Sequence, residues 1–289
     1  MMYKKKLSII SVLLFLSFPA QALAVHISGS IGHVESFYTK YLLPQALYPL
    51  FFILFFICGY ILFYKKTPFQ EVSIYHTIEF VDVFCTIFLF LSVSIITSQL
   101  VMFVFPPLDT KVEQISDIGG LFIYIFASCI IPVICEEFIF RGVIIGQIAP
   151  FNEKAAIFIS AILFAFMHGT FQQIPIAFCA GILLGIFYVR HQSILLCMLL
   201  HFCNNFLNII YYILAKVLPE NLSSYFEIGL MIIILLMGVF CFIIYINRYP
   251  RKSKEKLLFK NAIITLSKSI IFWIYLIIMT LITIMSHEL

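Results

Sequence analysis

Residues 119–148 read GGLFIYIFASCIIPVICEEFIFRGVIIGQI, and this stretch decides the class of fold. Its charged side chains are Glu136, Glu137 and Arg141, and most of the others are apolar. An α-helix needs about 20 predominantly apolar residues to cross the hydrocarbon of a bilayer. The stretch is longer than that, so it predicts a membrane-spanning helix that carries polar groups inside the bilayer.

The rest of the chain has the same apolar character. Of its 289 residues, 63% are hydrophobic and 11% are charged, and the mean hydropathy is +1.09. Soluble domains carry about 25% charged residues, so the predicted fold class is all-α, a polytopic membrane helix bundle. The apolar runs predict about eight transmembrane helices, at 44–64, 80–105, 119–148, 155–171, 173–189, 192–214, 225–246 and 262–285.

Residues 1–24 are predicted to be either a signal peptide or a first transmembrane helix, which would be the ninth. Three lysines at positions 4–6 precede an apolar run that ends before Pro19, and an A-x-A pattern ends at Ala24. That order is typical of a secretory signal peptide cleaved after Ala24. With residues 20–25 included, the run is long enough to span. Both interpretations stay open, and cleavage is favoured.

Basic residues predict the orientation of the chain, because cytoplasmic loops of membrane proteins carry an excess of Lys and Arg. With the N-terminal lysines in the cytoplasm, Arg190 and the basic run at 248–260 fall on the same side. We therefore expect a multi-pass protein of the cell (inner or plasma) membrane, with the N-terminal lysines and residues 248–260 cytoplasmic. No basic run has interleaved aromatics suited to bases, so nucleic acid is not an expected partner.

Charged residues inside the apolar runs are the first candidates for function, because each costs at least about 2.5–3.5 kcal/mol at the centre of a span. Glu137 and Arg141 are four residues apart, which predicts an ion pair on one helix face. Glu136 points about 100° away and has no partner in its own segment. Three further carboxylates near span ends are interpreted as interfacial groups: Glu79, Asp82 and Glu227.

Two more motifs carry polar side chains into the bilayer. His168 follows Phe164 by four residues, and Asn205 follows His201 by four residues in a later span. At 1.5 Å per residue from the inner helix ends, Glu136, both histidines and Asn205 lie about 15–21 Å deep. Independent packing residues have no reason to converge on one depth. The sequence therefore predicts one shared polar cavity.

This set of side chains suits hydrolysis. A glutamate can remove a proton from water, a histidine can orient that water, and a second histidine with an asparagine can donate to the oxyanion. Zinc is the alternative, with Glu136, His168 and His201 as candidate ligands. The chain contains no HExxH motif and no GxSxG setting for a serine nucleophile. The residues alone leave the glutamate and metal mechanisms open.

Three ordered motifs resemble those of the CPBP family, the CAAX-protease and bacteriocin-processing membrane proteins, also called the Abi family. The motifs are Glu136-Glu137-x-x-x-Arg141, Phe164-x-x-x-His168 and His201-x-x-x-Asn205. The resemblance covers about residues 119–210 and implies an intramembrane endopeptidase, glutamate- or metal-dependent, with the metal-free version favoured.

The resemblance also implies a role for each motif residue. The first glutamate would activate water together with the histidine of the second motif. The histidine and asparagine of the third motif would hold the oxyanion, and the second glutamate and the arginine would organise the site. The implied catalytic residues are Glu136, Glu137, Arg141, His168, His201 and Asn205.

The domain organisation follows the same resemblance. We expect a CPBP-like catalytic core at 119–214, between an N-terminal transmembrane region at 25–118 and C-terminal transmembrane helices at 215–289. The expected partners are the lipid bilayer and a peptide or protein substrate in or at the membrane. The signal-like start and small loops are typical of a bacterial protein, which disfavours a prenylated substrate. The sequence does not indicate an oligomeric state.

Two other classes of function stay open. A non-catalytic membrane scaffold or bacteriocin-immunity protein of the same family would keep the polar residues for assembly or ligand binding. A proton-coupled transporter would use the buried Glu and His residues as a relay. The transporter is the less favoured of the two, because such proteins are built from repeats and this chain shows no internal repeat.

Overall fold

The computed structural model describes residues 76–105 and 118–249, together with residues 47–54 and the single positions 23, 27, 43, 57 and 277. The two long described stretches form six helices and no strand, which confirms the all-α prediction for this part of the chain. The helices are α1 (Phe80–Val104), α2 (Ile118–Ile148), α3 (Glu153–Met167), α4 (Gln173–His191), α5 (Ile194–Val217) and α6 (Glu220–Arg248).

Five of these six helices, all except α3, are long and apolar enough to cross a membrane. Large apolar side chains cover the outer faces of the bundle, such as Phe103 on α1 and Leu236 on α6. A soluble protein rarely exposes so much apolar surface, whereas lipid is a suitable solvent for it. The predicted total of eight or nine spans is not confirmed. Its first segment and the spans at 44–64 and 262–285 lie mostly outside the described residues.

The helix α3 is shorter than the predicted span at 155–171. Its residues reach about 22 Å at 1.5 Å each, which is less than the about 30 Å of bilayer hydrocarbon. The side chain of Asn152 caps its first turn by accepting a backbone N–H at 2.8 Å. The helix ends at Met167, and Gly169 then takes a φ of +67°, which favours glycine. His168 therefore lies at a helix end and not in the middle of a span.

Small residues allow close contact between neighbouring helices. A Cβ added to Gly181 of α4 would lie 2.9 Å from Cα of Ala161 on α3. Between α1 and α6, a Cβ added to Gly238 would lie 1.9 Å from Oγ of Ser92. That hydroxyl donates a hydrogen bond to the carbonyl oxygen of Ile234 at 2.9 Å. These contacts fix two antiparallel helix pairs around the centre of the bundle.

An ion-pair cluster joins α1 to the far end of α6. Nε of Arg248 lies 3.0 Å from Oδ1 of Asp82, and the guanidinium also pairs with Glu79. The hydroxyl of Tyr249 donates to Oδ2 of Asp82 at 2.8 Å. Burial and the nearby Asp82 raise the pKa of Tyr249, which keeps that donor protonated. Asp82 lies in the first turn of α1, as predicted for a group near a span end, but its side chain is buried against α6.

Candidate active site

Glu137 joins two helices through one carboxylate oxygen. Its Oε1 lies 2.9 Å from Nη1 of Arg141, and both side chains are fully buried. This confirms the predicted ion pair. The same oxygen lies 2.8 Å from Nδ1 of His201 on α5. No spacing in the sequence predicts that second contact, because the two residues are 64 positions apart.

Glu136 faces a different direction from its neighbour. Its side chain is 12% exposed, whereas that of Glu137 is 0% exposed. Its Oε2 lies 4.0 Å from Nε2 of His201, which is beyond hydrogen-bond distance. Within the described part of the chain this oxygen has no hydrogen-bond partner. Because Glu136 also lines a cavity, its carboxylate can reach a ligand while that of Glu137 cannot.

His168 has a ring of fixed orientation at the end of α3. Its Nδ1 lies 2.8 Å from the carbonyl oxygen of Phe164, so Nδ1 carries the hydrogen in this contact. In the neutral ring, Nε2 is then an acceptor. The ring also stands edge-on to the ring of Phe164, with centroids 4.8 Å apart. His168 therefore presents a nitrogen lone pair to its surroundings.

Phe164 contacts three of the polar site residues. Besides His168, its ring meets that of His201 edge-on at 5.8 Å, and Cζ of Arg141 lies 4.5 Å from its centroid. The guanidinium over the ring face is a cation–π contact. The motif resemblance does not give Phe164 a role among the predicted site residues. Its spacing of four residues from His168 was the available signal that it belongs to the site.

Asn205 is held by an irregular part of α2. Residues Phe126–Ile130 are π-helical and Pro132 follows them, while a second π-helical stretch, Phe138–Ile145, follows the glutamates. Proline has no backbone N–H, so the carbonyl of Ser128, four residues earlier, loses its usual α-helical donor. Nδ2 of Asn205 donates to that carbonyl at 3.1 Å. Pro132 is the sequence signal for this contact.

Two cavities meet at His168. The larger has a volume of about 610 Å³ and is also lined by Phe164, His201 and Asn205. The smaller has a volume of about 360 Å³ and is lined by Glu136 and by His168. The prediction of one shared cavity is therefore confirmed for His168, His201 and Asn205. Glu136 lies on the adjoining smaller cavity, which the sequence did not distinguish.

The segment that carries these site residues is similar to a known protein family. The model of the family described as Type II CAAX prenyl endopeptidase Rce1-like matches residues 118–207, which contain all six predicted site residues. A relative, the membrane-embedded CAAX protease MroQ of Staphylococcus aureus (strain USA300), is 30% identical over 109 residues. Residues 118–207 are therefore similar to CAAX-protease domains, the family that the three motifs resemble.

The match to this relative covers only part of both proteins. It spans 35% of this chain and 43% of the relative, so the chain covers less than half of the relative's length. No solved structure matches the chain. The five long apolar helices and the similarity to a membrane-embedded relative support a multi-pass membrane protein.

A metal ion at this site would need a set of converging ligand side chains. Among the described residues, no three His, Cys, Asp or Glu side chains converge so that they could hold a metal ion. Glu136, His168 and His201 therefore do not form a ligand set in this arrangement. Nδ1 of His201 is bound to Glu137, and Nδ1 of His168 is bound to a carbonyl oxygen. The metal-free mechanism stays the favoured prediction and metal dependence the alternative.

Proposed function

We propose that this chain is an intramembrane endopeptidase that hydrolyses a peptide bond of a membrane-associated peptide or protein. The observation that carries the proposal is the difference between two adjacent glutamates. Glu137 pairs through Oε1 with Arg141 and His201 and is fully buried, whereas Glu136 is 12% exposed and lines a cavity with His168. A structural ion pair with Arg141 needs only Glu137 and does not explain the presence of Glu136. A second buried carboxylate beside a histidine is typical of a catalytic base.

Glu136 is the proposed general base. A water held between its carboxylate and Nε2 of His168 would attack the carbonyl carbon of the scissile bond, and its proton would pass to Glu136. His168 suits this role because its Nδ1 hydrogen is committed to the carbonyl of Phe164, which leaves Nε2 to accept from the water. The proton then moves from Glu136 to the leaving amine as the C–N bond breaks.

His201 and Asn205 are the proposed oxyanion donors. With both ring nitrogens protonated, His201 donates from Nδ1 to Glu137 and from Nε2 to the developing oxyanion. The amide nitrogen of Asn205 carries two hydrogens, and one of them is donated to the carbonyl of Ser128. The second hydrogen is then available for the oxyanion. Glu137 and Arg141 hold His201 in place and act as positioning residues.

The proposed setting follows from the distribution of basic residues. We place the chain in the cell membrane, with the N-terminal lysines and residues 248–260 in the cytoplasm. The proposed catalytic core is the segment 119–214. Its proposed substrate is a peptide or protein in or at the membrane, and no prenyl group is assumed.

The test is peptide release by purified protein in lipid vesicles, read by mass spectrometry and combined with metal analysis of the same samples. We expect Glu136→Gln and His168→Ala to lower the rate at least about 100-fold, the usual contribution of general-base catalysis. Glu153→Gln is the matched control, because that carboxylate is exposed at the start of α3. Its rate is expected to equal that of the wild type.

Two results would contradict the proposal. Wild-type rates in Glu136→Gln would exclude Glu136 as the base and assign the activation of water to another group. A bound metal whose removal abolishes cleavage would replace the glutamate mechanism by a metal-dependent one.

A further inference from the structure

The larger cavity extends from the two histidines to one end of the bundle. At its inner end it is lined by His168 and His201. At the other end it is lined by Met102 near the end of α1, Tyr211 in the last part of α5, and Glu227 near the start of α6. Since α1 and α5 end where α6 begins, the cavity connects the proposed catalytic groups with that end of the bundle.

Glu227 gives this cavity its charge. Among the described lining residues it is the single one with an acidic or basic side chain, apart from the two histidines. The other polar lining residues are neutral amides and hydroxyls, including Ser94, Ser98, Gln99, Asn204 and Asn208. The described residues provide no ion pair for Glu227, and its side chain is half-buried. Glu227 is therefore a charged group in the wall of this cavity.

The distance from Glu227 to the histidines can be measured along α5. Tyr211 lies near enough to Glu227 for an electrostatic interaction. It is 10 residues after His201, which corresponds to about 15 Å at 1.5 Å per residue. An extended peptide covers about 3.3–3.6 Å per residue. The interval therefore holds about four or five residues of an extended substrate.

We propose that the larger cavity binds an extended substrate segment that carries a Lys or Arg about four or five residues from the scissile bond. The cationic side chain pairs with Glu227, and the neutral amides and hydroxyls between Glu227 and His201 bind the substrate backbone. An acidic side chain at that position is repelled by Glu227. This inference rests on the proposed peptidase function and adds the charge of the substrate and the residue that selects it.

The experiment uses a set of quenched fluorescent peptides with one apolar core sequence. Each peptide carries Arg, neutral citrulline or Glu at one position, from three to six residues on either side of the cleaved bond. Cleavage by the full chain in lipid vesicles is measured as kcat/KM for wild type, Glu227→Gln and Glu227→Lys. Glu220→Gln is the matched control, because Glu220 is exposed on the same helix and does not line the cavity.

We expect the wild type and Glu220→Gln to prefer Arg over citrulline by about tenfold at four or five residues from the bond, as one well-placed charge pair allows. Glu227→Gln is expected to lose this preference. Glu227→Lys is expected to prefer the Glu peptide, a reversal that a merely structural role for Glu227 would not produce. An Arg preference that persists in Glu227→Gln, or none in the wild type, overturns the inference.

Binding of the same peptides to Glu136→Ala protein, measured by fluorescence anisotropy, separates the two proposals. Arg-selective binding that depends on Glu227, without cleavage by the wild type, supports the cavity assignment and contradicts the peptidase proposal. Cleavage without charge selectivity contradicts the cavity assignment and supports the peptidase. If the wild type does not cleave the peptides and does not bind them selectively, both proposals are contradicted.

Discussion

At the scale of single residues, Glu136 and Glu137 show how an offset of one position separates two carboxylates. The helical turn directs them about 100° apart. Glu137 meets Arg141 and His201 and is sealed from solvent, while Glu136 turns towards a cavity. Breaking a buried ion pair by removing one partner costs about 3–5 kcal/mol, because the other charge stays buried without compensation. The two side chains should therefore differ in what they contribute to stability.

We predict that Glu137→Gln lowers the free energy of unfolding by about 3–5 kcal/mol, because Arg141 loses its partner. Glu136→Gln is expected to leave it within about 0.5 kcal/mol of the wild type or to raise it, since a base without a partner stabilises little. Unfolding of each variant by heat or denaturant in detergent micelles measures the two free energies. The double variant Glu137→Gln, Arg141→Met should recover part of the loss. Equal losses in Glu136→Gln and Glu137→Gln would contradict this division of roles.

At the scale of helices, the apolar runs predict the spans well where the bilayer sets their length. The predicted spans 80–105, 173–189 and 192–214 correspond to α1, α4 and α5, with ends that differ by three residues or fewer. The end of α3 depends instead on a local turn at Gly169. The π-helical stretches depend on Pro132 and on contacts with other helices, so apolar periodicity does not show them.

The contact between α1 and α6 gives a prediction at this scale. Gly238→Ala places a methyl group where Oγ of Ser92 lies 1.9 Å away, and overpacking of this kind typically costs about 1–3 kcal/mol. Gly229→Ala on the same helix meets nothing within 4 Å, so it should be neutral or stabilising. Thermal unfolding in detergent compares the two variants. The added change Ser92→Gly should restore stability to Gly238→Ala, and no rescue would mean that the helices separate for another reason.

At the scale of the whole molecule, motif spacing predicted the composition of the polar site but not its three-dimensional division. Depth along each helix correctly brought His168, His201 and Asn205 to one cavity. It did not show that Glu136 faces a second cavity or that Glu137 holds His201. Those facts depend on helix rotation and lateral packing, and a single sequence contains no signal for residues 64 positions apart.

The orientation of the larger cavity can be tested in intact cells. It extends away from the end of the bundle that carries Arg190 and Arg248, so the positive-inside rule predicts that it opens outside the cytoplasm. In a chain whose eight native cysteines are replaced, Ser98→Cys should react with a membrane-impermeant maleimide added outside. Arg190→Cys should react only after permeabilisation. Leu236→Cys is the control, because a thiol on the apolar outer face does not ionise readily.

Each labelling result has a structural meaning. Labelling of Ser98→Cys only after permeabilisation, with Arg190→Cys labelled from outside, would reverse the predicted orientation. Ser98→Cys that stays unlabelled under both conditions would mean that the cavity does not admit water. Ser98 lines the cavity that reaches His201, so labelling from outside would also fix the side from which a substrate reaches the proposed oxyanion donors. Protection of Ser98→Cys by the Arg peptide, and not by its citrulline counterpart, would then join this route to the charge of Glu227.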